Sequence, residues 1–426
     1  MRRLLFALTM LSTPTFAQTI AITGGKVVIG DGSAPIEGGT VIITGGRIVA
    51  AGKGVAIPAG AKQVDAGGKW VTPGIVSGFT RLGLAGVDAV GPSNDTSANT
   101  SPFNAALDIS AAVNPDVAAI AVNRAAGVTR AVVSPDAGSA IFAGQGAIID
   151  TGADFDPITR AKAFQFVEFG EAGARRSGGS RAALIANFRN ALSEARSLQT
   201  GTFPDDALLK RADAAALAPV LTGQMRLLIH VESAPDILQV LVLKREFPTI
   251  NMVLVGVTEG WRVGAQIAAA KVPVIASALN DLPGSFEQIA ATQSNIGRMK
   301  AAGVEIAIGM IDDNDTRQAM HVLQYAGNLV ALTRVPGASG LNWNDAFAAI
   351  TSKPAEIVGM GGEIGSLRAG RRGDVVIWDG DPLEGTTAAT KVFIDGVEQP
   401  LSTRQSRLRE RYAKPQEGTL PKAYDR

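Results

Sequence analysis

The chain has 426 residues, 46% of them hydrophobic and 19% charged, which is enough apolar material for one large core and a smaller second one. It contains no cysteine, which excludes disulfides and thiolate metal sites. A formal net charge of +1 gives no bulk attraction to nucleic acid or to a membrane.

Residues 1–17 have the layout of a secretory signal. Arg2 and Arg3 form a basic start, Leu4 to Leu11 an apolar run, and Thr15-Phe16-Ala17 a small-x-small cleavage site before Gln18. The apolar run is shorter than the roughly 20 residues that cross a bilayer. The expectation is export to a bacterial periplasm, where a chain without cysteine escapes thiol oxidation, and a mature protein with no membrane span. Loss of Arg2 and Arg3 takes the formal charge from +1 to −1.

Residues 19–72 read as short β-branched strands separated by glycine turns. Thr19 to Ile22, Lys26 to Gly32, Val41 to Ile43 and Arg47 to Ala50 follow this pattern. The same texture returns at Asp374 to Trp378 and Lys391 to Gly396. Residues 18–72 and 361–400 are therefore expected to form one small β-sandwich domain built from both chain ends.

Residues 73–360 alternate strands and helices. Helix is expected over Asp116–Ala126, Asp236–Glu246, Trp261–Ala270 and Ser285–Ala302, the last with Ser285 and Gln288 at capping-box spacing. Buried strands are expected at Thr129–Val133, Arg226–His230, Asn251–Val255, Val272–Ile275 and Val304–Ile308. Repeated β-α units with continuous apolar strands imply an α/β fold, a TIM-like (β/α)8 barrel. The Gly-, Ser-, Asn- and Thr-rich stretch from Leu84 to Phe103 follows the first barrel strand and reads as a long loop over the active-site face. Residues 401–426 form a basic tail with seven Lys/Arg against three Asp/Glu, expected as a solvated helix and arm.

Three motifs carry a family resemblance. Thr72-Pro73-Gly74-Ile75-Val76 enters the first barrel strand, Ala349 to Gly359 forms a late helix, and Ile364 to Gly370 with Gly373 to Pro382 returns the chain to the β-domain. Together they resemble the amidohydrolase superfamily, in particular its imidazolonepropionase-like and periplasmic members. The resemblance implies a hydrolase of non-peptide C–N bonds. One or two divalent metals at the barrel mouth would activate a water there.

Position by position, the metal ligands implied by the resemblance are mostly missing. The first strand, which ends in His-x-His in the family, carries Phe79 and Arg81 here. The fourth offers Glu168, the fifth keeps His230, and the sixth has Gly256 where a histidine is expected. After the eighth, Asp312 and Asp313 lie near the family's aspartate position. Catalytic zinc normally keeps three protein ligands, so the expected cofactor is none; zinc or another divalent metal would belong to a reduced site around His230 and Asp312, with Asp312 as proton acceptor. The only other histidine, His321, falls on a helix expected outside the barrel.

Glu232, Glu259, Asp281, Asp312 and Asp313 gather acidic charge around the expected mouth. Without a metal they repel one another. Arg81 is expected to answer that charge with an internal salt bridge, or to anchor an anionic ligand, while Phe79 shrinks and dries the pocket. The resulting expectation is an exported member of the family that is degenerate at its metal site and binds a small molecule or an active paralogous subunit, with a homo-oligomer open. An active metal-dependent hydrolase is the competing reading.

Overall fold

The computed structural model describes residues 18–87, 90–278, 280–311 and 317–413. The signal-like residues 1–17, Asp312, Asp313 and the tail beyond residue 413 lie outside the described residues.

The N-terminal segment gives β1 (Thr19–Val27), β2 (Ile36–Thr44), β3 (Arg47–Gly52), β4 (Lys62–Asp65) and β5 (Trp70–Pro73). The C-terminal segment gives β14 (Val375–Trp378), β15 (Ala389–Ile394) and β16 (Val397–Glu398). These eight strands share one sheet in the order β16-β15-β14-β5-β1-β2-β3, with β4 pairing β1. The seam between the chain ends is the antiparallel pair β5–β14, in which Thr72 faces Val376. Ile22, Val27, Ile43, Val71, Val375 and Phe393 are buried together against it.

The second sheet runs β6 (Ile75–Thr80), β7 (Val128–Val133), β8 (Phe142–Asp150), β9 (Ile158–Glu168), β10 (Arg226–Val231), β11 (Met252–Gly256), β12 (Val274–Ala276) and β13 (Ile306–Ile308), each beside the next. Its edges nearly meet. The Met310 N–H donates to the Phe79 carbonyl at 2.8 Å. Gly78 allows this approach, because a Cβ there would lie 2.6 Å from the Ile308 carbonyl oxygen.

One departure from uniform β-α units is clear. β8 runs antiparallel to both β7 and β9, so three successive strands form a meander with no helix between them. Short connections permit this only between antiparallel neighbours. Elsewhere helices cover the sheet: α1 (Ala118–Ala125), α2 (Gly170–Arg176), α3 (Arg181–Gln199), α4 (Arg211–Leu221), α5 (Ala234–Glu246), α6 (Gly264–Ala269), α7 (Asn295–Ala301), α8 (His321–Leu332), α9 (Trp343–Ala348) and α10 (Ser352–Ile357). A last helix, α11 (Arg404–Tyr412), follows the outer sheet.

The helix expected over Ser285–Ala302 is mostly not formed. Residues 286–288 make a single 3-10 turn and helix begins at Asn295. The Ser285 side chain caps nothing; the Gln288 side chain instead accepts from the Gly284 N–H at 3.2 Å. Helices α3 and α4 lie where no helix is expected from the sequence pattern.

The period-2 alternation of strands sorts side chains to two sides of the sheet. Phe79, Phe164, Phe166, Leu228, Val253, Val255 and Ile275 pack inside it, together with Ala355 and Ile357 of α10. Each fully buried aromatic or leucine there contributes roughly 1.5–3 kcal/mol. Leu227, Ile229 and Leu254 face the surrounding helices. The two sheets are tied by Arg130 of β7, which is wholly buried. It donates to both carboxylate oxygens of Asp374 at 2.7 and 2.9 Å, to Asp150 at 3.2 Å and to Thr159 at 2.6 Å, and it pairs with Asp395 at 2.9 Å.

Candidate functional site

On β10, Leu228 points into the barrel core, so His230, two residues on, points into the mouth above it. Glu168 reaches the same level on β9, two residues beyond Phe166, and pairs in register with His230. The imidazole is held on both sides. Nδ1 lies 2.6 Å from Glu168 Oε1 and Nε2 lies 2.8 Å from Glu232 Oε1. Two carboxylates on two ring nitrogens call for two N–H donors, which is the imidazolium.

Electrostatics agree. Burial pulls the His230 pKa down, but the charge and hydrogen bond of Glu168, then those of Glu232, lift it well above its usual 6.5. Burial likewise pushes Glu168 up, but the charge and hydrogen bond of His230, with the charges of Arg176 and Arg81, together outweigh it, so Glu168 lies below the usual carboxylate range. The other oxygen of Glu232 accepts from the Thr258 N–H at 2.8 Å. This carboxylate is therefore fixed at both oxygens.

Gly256 explains why Glu232 can sit there. A Cβ at this position would lie 2.1 Å from Glu232 Oε1 and 2.9 Å from His230 Cδ2, and φ is +88°. The space that a side chain at 256 would use is filled by Glu232. Phe79 is buried in the barrel core, with its ring 5.5 Å from that of Phe166. Neither position offers a metal ligand, and among the described residues no group of three or more His, Cys, Asp or Glu is disposed to hold a metal ion.

Arg81 pairs with Asp136 and lies over the Phe79 ring at 5.5 Å. Asp136 is not among the carboxylates expected to answer Arg81, of which Asp312 and Asp313 lie outside the described residues. Asp136 follows β7, the neighbour of β6, so adjacent strand ends bring the two together, although they are 55 residues apart. Glu232 and Glu259 are already satisfied. Glu259 accepts from the Ala234 N–H at 3.0 Å, the Ala290 N–H at 3.0 Å and Arg262 Nη1 at 2.9 Å. Asp281 is exposed in the loop after β12, where it accepts from the Gln293 N–H at 3.4 Å.

Two contributors were not singled out in the sequence. Asp136 has no motif around it. Glu287 sits on the 3-10 turn over the mouth and accepts from the Glu171 N–H at 2.7 Å. Burial raises its pKa despite that bond. Only its short spacing after the end of β7 could have flagged Asp136, and no such signal marks Glu287. His321 opens α8 away from the mouth and lines a cavity of about 880 Å3 between α1, α8 and residues 381–389.

The model of the amidohydrolase family matches residues 249–400. Over these residues the chain is similar to the amidohydrolase family. Amidohydrolase tasK of Hapsidospora irregularis is 36% identical over 89 residues, 21% of this chain and 8% of that protein. The imidazolonepropionase of Maricaulis maris (strain MCS10) is 34% identical over 99 residues, 23% of each. These matches thus span less than a quarter of those relatives. Among solved structures, an amidohydrolase from Thermotoga maritima MSB8 superposes with a TM-score of 0.78 at 24% identity, covering 89% of this chain and 99% of that one. Molinate hydrolase gives 0.53 at 16% identity, covering 95% and 98%. At these identities the superpositions speak for the fold.

Proposed function

We propose that this chain is an exported amidohydrolase-superfamily protein whose barrel mouth has been rebuilt without the catalytic metal and serves to bind a small molecule. The reading takes the eight-stranded sheet as a (β/α)8 barrel with one β-α unit replaced by the β8 hairpin. It takes the outer sheet as the β-sandwich domain, and residues 1–17 as the signal that directs the chain to the periplasm.

One observation carries it: Glu232 occupies both the Nε2 side of His230 and the volume of a side chain at 256. A metal at Nε2 needs a neutral nitrogen lone pair, and here that nitrogen faces a carboxylate at hydrogen-bond distance. Arg81 adds a fixed positive charge at the end of β6, which opposes a cation. Among the described residues, the donor set that remains does not fit a catalytic zinc. What these residues can do is hold a proton on His230, present fixed charges of both signs, and bind a ligand carrying polar groups against an apolar barrel floor.

The competing reading is an active hydrolase of non-peptide C–N bonds using a reduced metal site at His230 and Asp312. One feature favours it: a metal-ligating imidazole commonly donates its other N–H to a carboxylate, and Glu168 is placed for that role. Metal analysis of the purified protein separates the two. Binding without metal predicts the same substoichiometric content in the wild type and in His230→Ala. One equivalent of zinc in the wild type, lost in His230→Ala, would establish the hydrolase reading.

A further inference from the structure

Helix α11 is nine residues long and buries none of them. Short helices are marginal in water unless an amphipathic face is packed. This one has a capping box, in which the Thr403 hydroxyl accepts from the Ser406 N–H at 3.1 Å and the Ser406 hydroxyl from the Thr403 N–H at 2.9 Å. It has no packed face. Its attachment to the body is upstream, where Arg124 Nε of α1 donates to the Pro400 carbonyl at 3.1 Å.

The side chains of α11 are sorted around its axis. At 3.6 residues per turn, Leu408 and Tyr412 stack one turn apart. Arg404, Arg407 and Arg411 border that pair on one side and Arg409 on the other, while Ser406 and Glu410 take the opposite face. Leu408 is half-buried and Tyr412 is 65% exposed. Arg404, Arg407 and Arg409 make no ion pair with any described residue, and Arg411 meets only the Tyr412 ring, at 5.6 Å. Elsewhere on this protein, exposed arginines such as Arg189, Arg368 and Arg47 do pair with carboxylates.

We propose that α11 docks the protein peripherally on an anionic phospholipid surface. Arginines on both flanks of a narrow apolar stripe, with the acidic residue behind, are the arrangement of a helix lying in the plane of a bilayer interface. The guanidinium rows pair with headgroup phosphates, and Leu408 and Tyr412 enter the headgroup–acyl boundary. The stripe favours lipid over nucleic acid, since a phosphate backbone offers no partner for Leu408, and the chain's near-zero net charge leaves α11 as a local feature. Docking would also supply the packing that the helix lacks. No described helix is long and apolar enough to cross a membrane, so contact by this route is superficial and salt-sensitive. The inference is independent of the barrel mouth.

The test is co-sedimentation of residues 18–426 with vesicles of phosphatidylcholine alone or mixed with phosphatidylglycerol. The expected result is binding to the mixed vesicles only, weakening as salt is raised. R404E/R407E/R411E should bind about a hundredfold more weakly or worse, since each basic residue lost near the surface costs about a factor of five to ten. Leu408→Asp should weaken binding with every arginine retained. The arginine variant should melt with the wild type, because its substituted side chains are exposed. Equal binding to both vesicle types, no binding at low salt, or a charge-reversed variant that binds as before would overturn the proposal. So would a preference for a single-stranded oligonucleotide that ignores Leu408→Asp.

Discussion

His230 shares its two N–H groups between Glu168 and Glu232, and that arrangement has a pH signature. Its folded pKa lies well above 6.5. The stability it contributes is therefore fully present below 6.5, where the unfolded chain is also protonated. It declines as pH rises from 6.5 through the folded value. Glu168 has a lowered pKa, so its contribution is present above the usual carboxylate range and is lost as pH falls through the folded value. Thermal melts of the wild type and His230→Gln across this range should differ most between those limits and converge at alkaline pH. A constant difference up to high pH would mean that the imidazole is not charged in the fold.

The position opposite is just as testable. Gly256→Ala drives a Cβ to within 2.1 Å of Glu232 Oε1 at a φ of +88°. It should destabilise by about 2 kcal/mol, from strain and overpacking together. Combining it with Glu232→Ala should recover the steric share, which a double-mutant cycle measures. Additive losses would show that Glu232 does not fill that space.

At the scale of elements, the decisive junction is Arg130. It sits on a strand of the barrel sheet and bonds to Asp374, just before β14, and Asp395, just after β15, at one end of the β14–β15 pair. Removing one partner of a buried ion pair strands the others without compensation. Arg130→Met should cost about 3–5 kcal/mol, with loss of cooperativity between the two sheets in denaturant melts. A variant that unfolds as the wild type does would show that Arg130 does not couple the two sheets. The β8 meander belongs to this scale too. It places Asp150 beside Arg130, where burial pushes that carboxyl up to about 6 despite the neighbouring guanidinium.

For the whole molecule, much of the fold was legible from local pattern. The glycine-spaced strands at both ends, the parallel strands β10 to β13 and the entry through Val71-Thr72-Pro73 are each written in a few consecutive residues. The reversal of β8 was not, because strand direction is set by the connections 134–141 and 151–157, whose lengths carry no hydrophobic period. The 285–294 segment reads as helix by composition, but Glu259, Trp261 and Glu171 hold it as a turn through long-range hydrogen bonds. At the site, His230 and Glu168 could be placed from their strands. The Arg81–Asp136 pair could not, since it depends on which strand ends are neighbours in space.

The central claim is that His230 is closed to metal by two carboxylates. The chain has only two histidines, so 15N spectra of histidine-labelled protein resolve each imidazole. The direct measurement is a zinc titration at neutral pH. The account predicts that both His230 nitrogens show imidazolium shifts at the outset and keep them at one equivalent of zinc. A stoichiometric shift of Nε2 to a metal-bound position, with Nδ1 still protonated against Glu168, would contradict it.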